Sequence, residues 1–100
     1  MKARLLLREK RTDRQGGLLE VVVWKVPTRH PYPDGIRYRL AFIPLGDKTP
    51  AVLYDNHHPK GHHKHLEDFE QPYIFSSIAQ LFSDFRKDIR LWEKTRRILK

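Results

Sequence analysis

The chain has 100 residues and a formal net charge of +8, because twenty Lys and Arg outnumber twelve Asp and Glu. A chain of this length buries roughly 60% or more of the surface that it exposes when unfolded, which is enough for one modest core. We therefore expect a single domain over residues 1–100. The chain contains no cysteine, which excludes disulfide bonds and thiolate metal sites.

Composition also indicates a location and a class of partner. Met1–Arg4 leads into only three leucines before charged residues return, so we expect no secretion signal. The longest apolar runs are far shorter than the roughly 20 residues that span a bilayer, so we expect a cytoplasmic protein that binds no membrane. Basic residues are spread along the chain, which favours a polyanionic partner, either nucleic acid or an acidic protein.

Hydrophobic patterns predict four strands, at about residues 3–10, 18–26, 36–43 and 51–56. The first strand alternates Leu5 and Leu7 with basic residues, which is typical of a sheet edge. The second contains the β-preferring run Val21–Trp24 and is apolar on both faces, so we expect it near the centre of the sheet. The turns between the last three strands are short, and an antiparallel meander is then the most economical topology.

The third strand has the cleanest alternation. Its apolar side chains face one way, at Ile36, Tyr38, Leu40 and Phe42. Arg37 and Arg39 face the other way, one strand step apart. Either arginine alone is most simply a solvated surface charge, but the pair is suited to cradling a phosphate if the sheet brings it near other polar groups.

The C-terminal part of the chain predicts one helix over about residues 77–95. Ser77 is the expected N-cap, and Gln80 completes a capping box. Helical spacing places the apolar side chains in one stripe, at Ile78, Leu81, Phe82, Phe85, Ile89 and Trp92. The predicted fold class is α+β: a four-stranded antiparallel β-meander followed by one C-terminal amphipathic helix packed on the sheet. Such a fold buries little, so a homodimer is a reasonable further expectation.

Residues 57–72 are predicted to form a loop, and this stretch is chemically the richest in the chain. It holds five of the six histidines: His57, His58, His62, His63 and His65. Histidine ordinarily changes its charge between about pH 5 and 8, so the loop suits proton transfer, metal ligation or phosphate contact. We expect His57 and His58 to point to solvent. The spacing of His63 and His65 puts both rings on the same side of an extended chain.

Metal ligation is one interpretation of this loop. Several of its histidines are close enough in sequence to meet one ion, and Asp55 adds an oxygen ligand. Zinc sites, however, usually draw their ligands from rigid and separated elements, and the chain has no HExxH motif. We therefore expect no metal cofactor, and a histidine-rich metal-binding protein is kept as a third hypothesis.

Proton transfer is another interpretation. Cleavage of RNA through attack by the 2′-hydroxyl needs a general base, a general acid and cations around the phosphate. His63 and His65 supply the residue types for the acid and the base, and the same loop contains lysines. A purely structural interpretation also stands, since Asp55 and Asn56 can close a turn through side-chain hydrogen bonds to the backbone.

Five motifs follow one another along the chain, at Arg37–Leu40, Tyr54–Asn56, Lys60–His65, Gln71–Phe75 and Phe85. Their order, over about residues 21–92, resembles the TumE-type toxin family. Members of that family are small prokaryotic proteins, usually encoded beside a helix-turn-helix antitoxin. The resemblance implies motif positions at Asp55, Asn56, Lys60, Gly61, His63 and His65. His62 stands where the family varies, which weakens any role for it.

Residue types and the resemblance together give the two main hypotheses, ahead of the metal-binding hypothesis described above. The first is the toxin of a type II toxin–antitoxin pair, acting on RNA as a metal-independent endoribonuclease and held inactive by a helix-turn-helix antitoxin. The second is a non-catalytic basic module that binds nucleic acid or protein, with a structural histidine loop. The candidate catalytic residues are His63, His65, Lys60 and Asp55. The candidate nucleic-acid contacts are Arg37, Arg39, Lys64, Tyr54 and Asn56.

Overall fold

The computed structural model describes residues 3–99, so Met1, Lys2 and Lys100, at the ends of the predicted domain, lie outside the described residues. The described elements are β1 (Arg4–Thr12), β2 (Leu18–Lys25), β3 (Ile36–Ile43), β4 (Val52–Asp55), β5 (His63–Leu66), β6 (Phe69–Pro72) and α1 (Ile78–Leu99). The strands form one sheet in the order β1-β2-β3-β4-β5-β6, and every neighbouring pair is antiparallel. The predicted α+β class, antiparallel meander and C-terminal helix are therefore confirmed.

The prediction of four strands is wrong, because the sheet has six. The stretch expected as the loop 57–72 contains the hairpin of β5 and β6, with a tight turn at Glu67, whose φ is +58°. These strands are four residues each and mostly polar, so they lack the apolar alternation by which strands are recognised. The polar side chains of β5 do alternate between the two faces of the strand. His63 and His65 share one face, while Lys64 lies on the other.

The helix begins where the sequence predicts and ends later. Ser77 Oγ accepts a hydrogen bond from the Gln80 backbone N–H at 3.0 Å, which is the predicted N-cap. The Gln80 amide does not return to Ser77 to close the capping box, but donates to Asp84 Oδ1 at 2.8 Å. The helix continues to Leu99 instead of ending near residue 95. No helix within residues 3–99 has the length and apolar character needed to cross a membrane.

The core lies between α1 and one face of the sheet. The buried helix side chains are Leu81, Phe85 and Ile89, as the predicted stripe requires. They pack with buried side chains of the central strands, at Val23, Tyr38, Leu40, Phe42, Val52 and Tyr54. Each large apolar side chain buried in this way contributes about 1.5–3 kcal/mol relative to exposure.

The opposite face of the sheet is covered by no helix of the described residues, and it is called the open face below. Strand alternation fixes which side chains it displays. Cross-strand pairing aligns Arg39 with Asp55 and Asp55 with His63, so these three side chains share the open face. His65 follows His63 on the same face and pairs with Glu70 of β6.

Candidate functional site

Two rows of residues cross the open face side by side. The first runs from Arg39 through Asp55 to His63 on β3, β4 and β5. The second runs through Leu53, His65 and Glu70 on β4, β5 and β6. Neighbouring strands lie about 4.8 Å apart, so the backbones of Arg39 and His63 are about 10 Å apart. Polar side chains from four consecutive strands therefore form one continuous patch on the open face.

The two histidine rings lie close together. Their centroids are 5.1 Å apart and their planes are inclined at 73°. His63 is buried, with 7% of its surface exposed, and its Nδ1 lies 2.8 Å from the carbonyl oxygen of Gly61. Because a carbonyl only accepts hydrogen bonds, Nδ1 must carry the proton, and Nε2 of the neutral ring keeps an available lone pair.

His65 is linked to Lys60 through a carboxylate. His65 Nε2 lies 3.3 Å from Glu70 Oε1, and Lys60 Nζ lies 2.7 Å from the same oxygen. The hydrogen bond from Lys60, together with the positive charge of Lys60 and the nearby histidines, lowers the pKa of Glu70 below its usual range. Glu70 therefore remains ionised at neutral pH and holds the two candidate residues together.

Asp55 has a structural partner. Its Oδ1 accepts the backbone N–H of His57 at 2.6 Å, which closes a turn directly after β4. This turn brings His57 over β3, where its Nδ1 lies 3.3 Å from Arg37 Nη2. The Asp55 carboxylate thus fixes the conformation of the loop beside the site. Asp55 itself is paired with His63 across β4 and β5.

A hollow of about 350 Å³ opens beside the arginines. It is lined by Val22, Trp24, Arg37, Tyr38, Arg39, Asp55 and His57. Trp24 pairs with Arg37 across β2 and β3, and both lie on the open face. Its half-buried indole offers a flat apolar surface next to two exposed guanidinium groups. An aromatic platform beside cations is the usual composition of a single-stranded nucleic-acid site.

Three candidate nucleic-acid contacts lie away from the open face. Tyr54 is fully buried beneath α1, and its hydroxyl donates to Asp88. Lys64 Nζ lies 3.1 Å from the same Asp88 carboxylate and 5.5 Å from the centre of the Tyr54 ring. Asn56 is buried, and its side-chain amide bonds to backbone atoms of β3. Burial leaves Tyr54 and Asn56 no surface for direct contact with a nucleic acid.

The remaining loop histidines have separate surroundings. His57 and His58 are exposed, as expected. His62 stacks on Phe75 with ring centroids 4.8 Å apart, and its two nitrogens meet the Tyr38 hydroxyl at 2.9 Å and Asp34 Oδ2 at 2.7 Å. This ring is held by packing and hydrogen bonds outside the open face.

Trp24 and Glu70 belong to the site but were not among the predicted site residues. The sequence carries part of the signal for Trp24, since alternation places it opposite Val23. Its position beside Arg37 depends on the register of β2 against β3. Glu70 carries no such signal, because the hairpin that turns it toward His65 was expected to be a loop.

The site also contains a set of residues able to hold a metal ion. Ligand atoms of His63, His65 and Glu70 all lie within 4.8 Å of one another. Of the five loop histidines considered as metal ligands, His63 and His65 are thus brought together, and Glu70 adds a carboxylate that the sequence did not predict.

Fold and site together define a small, basic α+β protein with a histidine-bearing open sheet face. The chain matches the family model described as Toxin TumE over residues 2–93, so it belongs to the TumE toxin family. It matches no curated protein and no solved structure. The predicted resemblance is confirmed, and the match also includes β1, which lay outside the motifs that carried the resemblance. Membership gives the chain a toxin role and implies an antitoxin partner.

Proposed function

We propose that the chain is the toxin of a type II toxin–antitoxin pair, neutralised by a helix-turn-helix antitoxin, and that it cleaves RNA without a metal ion. The observation that supports this most is the pair His63 and His65, with ring centroids 5.1 Å apart on the same sheet face as Arg39. An acid and a base at this separation fit on the two sides of one phosphodiester. The predicted homodimer stays a prediction.

In this proposal the two histidines have different roles. His63 presents Nε2 as an acceptor, because its Nδ1–H is held by Gly61, and it takes the proton from the ribose 2′-hydroxyl. The 2′-oxygen attacks phosphorus, and the bond from phosphorus to the 5′-oxygen breaks. His65, oriented by Glu70, gives its proton to that leaving oxygen. The products are a 2′,3′-cyclic phosphate and a 5′-hydroxyl.

Cations on neighbouring strands would hold the phosphate. Arg39 stands in the row of His63, and Arg37 is one strand step away on the same face. A guanidinium binds two phosphate oxygens at once and stabilises the charge that develops in the transition state. Lys60 adds a third cation beside His65. The indole of Trp24 would stack on a base next to the scissile bond.

The experiment compares His63→Ala and His65→Ala with wild type during induced expression, following growth and RNA integrity. Removal of a general acid or base costs about 10²–10⁴-fold in rate, so each variant should lose toxicity and leave RNA intact. Purified wild type should cleave RNA in excess chelator. His58→Ala is the matched control, because His58 is exposed and outside the two rows.

Thermal melts of each variant separate loss of chemistry from loss of fold. If His63→Ala and His65→Ala both remain fully toxic while folded, the acid–base assignment is wrong.

A non-catalytic basic module is the second candidate. It is favoured by the burial of His63 and its hydrogen bond to Gly61, which are also what a structural histidine would have. In that case His63→Ala should lower the melting temperature, and RNA should bind to the arginines and Trp24 but stay intact. Intact RNA with wild-type protein at all times of induction would select this candidate.

A further inference from the structure

His63, His65 and Glu70 form a cluster of three possible metal ligands. The metal-free mechanism does not use these three residues together to bind a ligand. Two imidazole nitrogens and one carboxylate oxygen lie within 4.8 Å of one another. They come from two adjacent strands, with His65 directly opposite Glu70 in the ladder. Backbone hydrogen bonds of the hairpin therefore fix the spacing of the three Cα atoms.

The chemistry of the set is that of zinc. Zn²⁺ takes His nitrogen and carboxylate oxygen ligands at about 2.0–2.2 Å, which places ligands of a tetrahedral site about 3.4 Å apart. The three atoms lie within 4.8 Å of one another, so they must approach by up to about 1.4 Å. Glu70 is exposed and His65 is half-buried, so rotation of these two side chains can supply the movement.

His63 is prepared for this role by its neighbour. A metal-binding histidine almost always donates its other N–H to a carbonyl or carboxylate, which fixes the tautomer and the ring orientation. His63 Nδ1 lies 2.8 Å from the Gly61 carbonyl, so Nε2 is the nitrogen left for a ligand.

We propose that His63, His65 and Glu70 bind one Zn²⁺ ion and that its binding switches off RNA cleavage. The switch rests on the proposed function, whereas the site does not. A lone pair bonded to zinc cannot accept the 2′-hydroxyl proton, and a ligated His65 cannot deliver one. The metal acts here as an inhibitor of the site.

The ion competes with Lys60. Lys60 Nζ lies 2.7 Å from Glu70 Oε1. To bind the metal, the Glu70 carboxylate must give up this ion pair. Zinc must displace that ammonium group and is repelled by its charge. Lys60→Gln should therefore raise zinc affinity by about 2–5-fold, the equivalent of one surface ion pair.

The binding test uses untagged protein, because tag histidines bind zinc themselves. Calorimetric titration of chelator-stripped protein with Zn²⁺ should give one ion per chain. His63→Ala, His65→Ala and Glu70→Gln should each weaken affinity by more than about 100-fold, beyond the 10–100-fold cost of losing an outer partner. His58→Ala, at an exposed histidine of the same segment, should bind as wild type does. Wild-type affinity in Glu70→Gln would overturn the site.

The activity test adds one equivalent of Zn²⁺ and then chelator to wild-type protein with RNA. Cleavage should stop with zinc and return with chelator, while Mg²⁺, which prefers oxygen ligands, should not inhibit. Cleavage that continues or rises with bound zinc overturns the switch. Stoichiometric zinc binding by a protein that cleaves no RNA in either condition supports the site and overturns the proposed endoribonuclease, so the two failures are distinguishable.

Discussion

Asn56 extends the pairing of β3 and β4 with its side chain. The ladder ends at Arg39 and Asp55, and the chain then turns away. Beyond that point Asn56 Oδ1 accepts the Tyr38 N–H and Asn56 Nδ2 donates to the Ile36 carbonyl, both at 2.9 Å. The amide therefore satisfies two buried backbone groups that β4 is too short to reach.

Replacement of Asn56 by Ala should destabilise the fold strongly. It leaves the N–H of Tyr38 and the carbonyl of Ile36 buried without partners. An orphaned group of this kind costs about 1–3 kcal/mol, so with two such groups Asn56→Ala should lower the free energy of unfolding by about 2–6 kcal/mol. Urea unfolding followed by circular dichroism measures this. The exposed His58→Ala should change stability by less than about 0.5 kcal/mol, and an equally small effect of Asn56→Ala would contradict the argument.

At the scale of residues, period-2 alternation predicted correctly that Arg37 and Arg39 share one face of β3 and that His63 and His65 share one face of β5. Alternation holds within a strand and needs no tertiary information. The contact of His65 with Glu70 depends on the register between β5 and β6. That register is set by the turn at Glu67, whose positive φ the sequence did not predict. Alternation also places Tyr54 and Asp55 on opposite faces of β4. The prediction that both belong to one site did not take this into account.

The helix is held to the sheet by two acids one turn apart as well as by its apolar stripe. Asp88 accepts the Tyr54 hydroxyl and pairs with Lys64, whereas Asp84 accepts the Tyr73 hydroxyl at 2.6 Å. The two tyrosine rings meet edge to face with centroids 4.9 Å apart. Burial, followed by the hydrogen bond to Asp88, raises the pKa of Tyr54 above its ordinary value.

Tyr54→Phe should change stability in two ways. Near neutral pH it should lower the free energy of unfolding by about 1.5–3 kcal/mol, because a hydrogen bond to a charged acceptor is lost. In alkali the unfolded tyrosine ionises at about pH 10 while folded Tyr54 keeps its proton. Stability that is complete below about pH 10 is therefore lost above it in wild type.

The variant lacks that ionising group, so its stability should fall less steeply between about pH 9.5 and 11. Some decline persists, since the pKa values of Tyr38 and Tyr73 are also raised, mainly by burial. Urea titrations across this range make the comparison, with Tyr32→Phe as a control outside the interface of helix and sheet. Equal slopes for wild type and Tyr54→Phe would refute the role given to this hydroxyl.

Elements rich in apolar side chains were predictable, and the polar hairpin was not. β2, β3 and α1 carry the apolar residues that form the core, so their periodicity records which face is buried. β5 and β6 each contribute little to that core. They are held by pairing along the sheet and by Glu67, which bonds to Trp92 and Arg96 of α1. Such contacts between distant residues leave no periodic trace.

For the molecule as a whole, one helix can cover only one face of a six-stranded sheet. The open face displays four basic side chains of β1 and β3, with Arg8 and Lys10 on the same side as Arg37 and Arg39, and Lys10 pairs there with Glu20. The sheet therefore presents a cationic path that leads across the strands toward His63 and His65. Net charge predicted a polyanionic partner, but which face meets it depends on where the helix packs.

If RNA follows this path, salt should reveal it. Each phosphate neutralised on a single strand contributes about −0.7 to the slope of log affinity against log salt. Measured in a His65→Ala background that leaves RNA intact, Arg39→Ala should make the slope shallower by about 0.7, and the double variant Arg37→Ala with Arg39→Ala by about 1.4. Fluorescence anisotropy with a labelled single-stranded RNA gives the slopes.

Arg90→Ala is the matched control for this measurement. Arg90 is an exposed arginine of α1, on the side of the molecule away from the open face. It carries the same charge, so its removal lowers the net charge of +8 by the same single unit as removal of Arg39. Non-specific attraction to the whole protein would make the two variants alike. Binding on the open face requires that Arg39→Ala changes the slope while Arg90→Ala leaves it close to that of the parent.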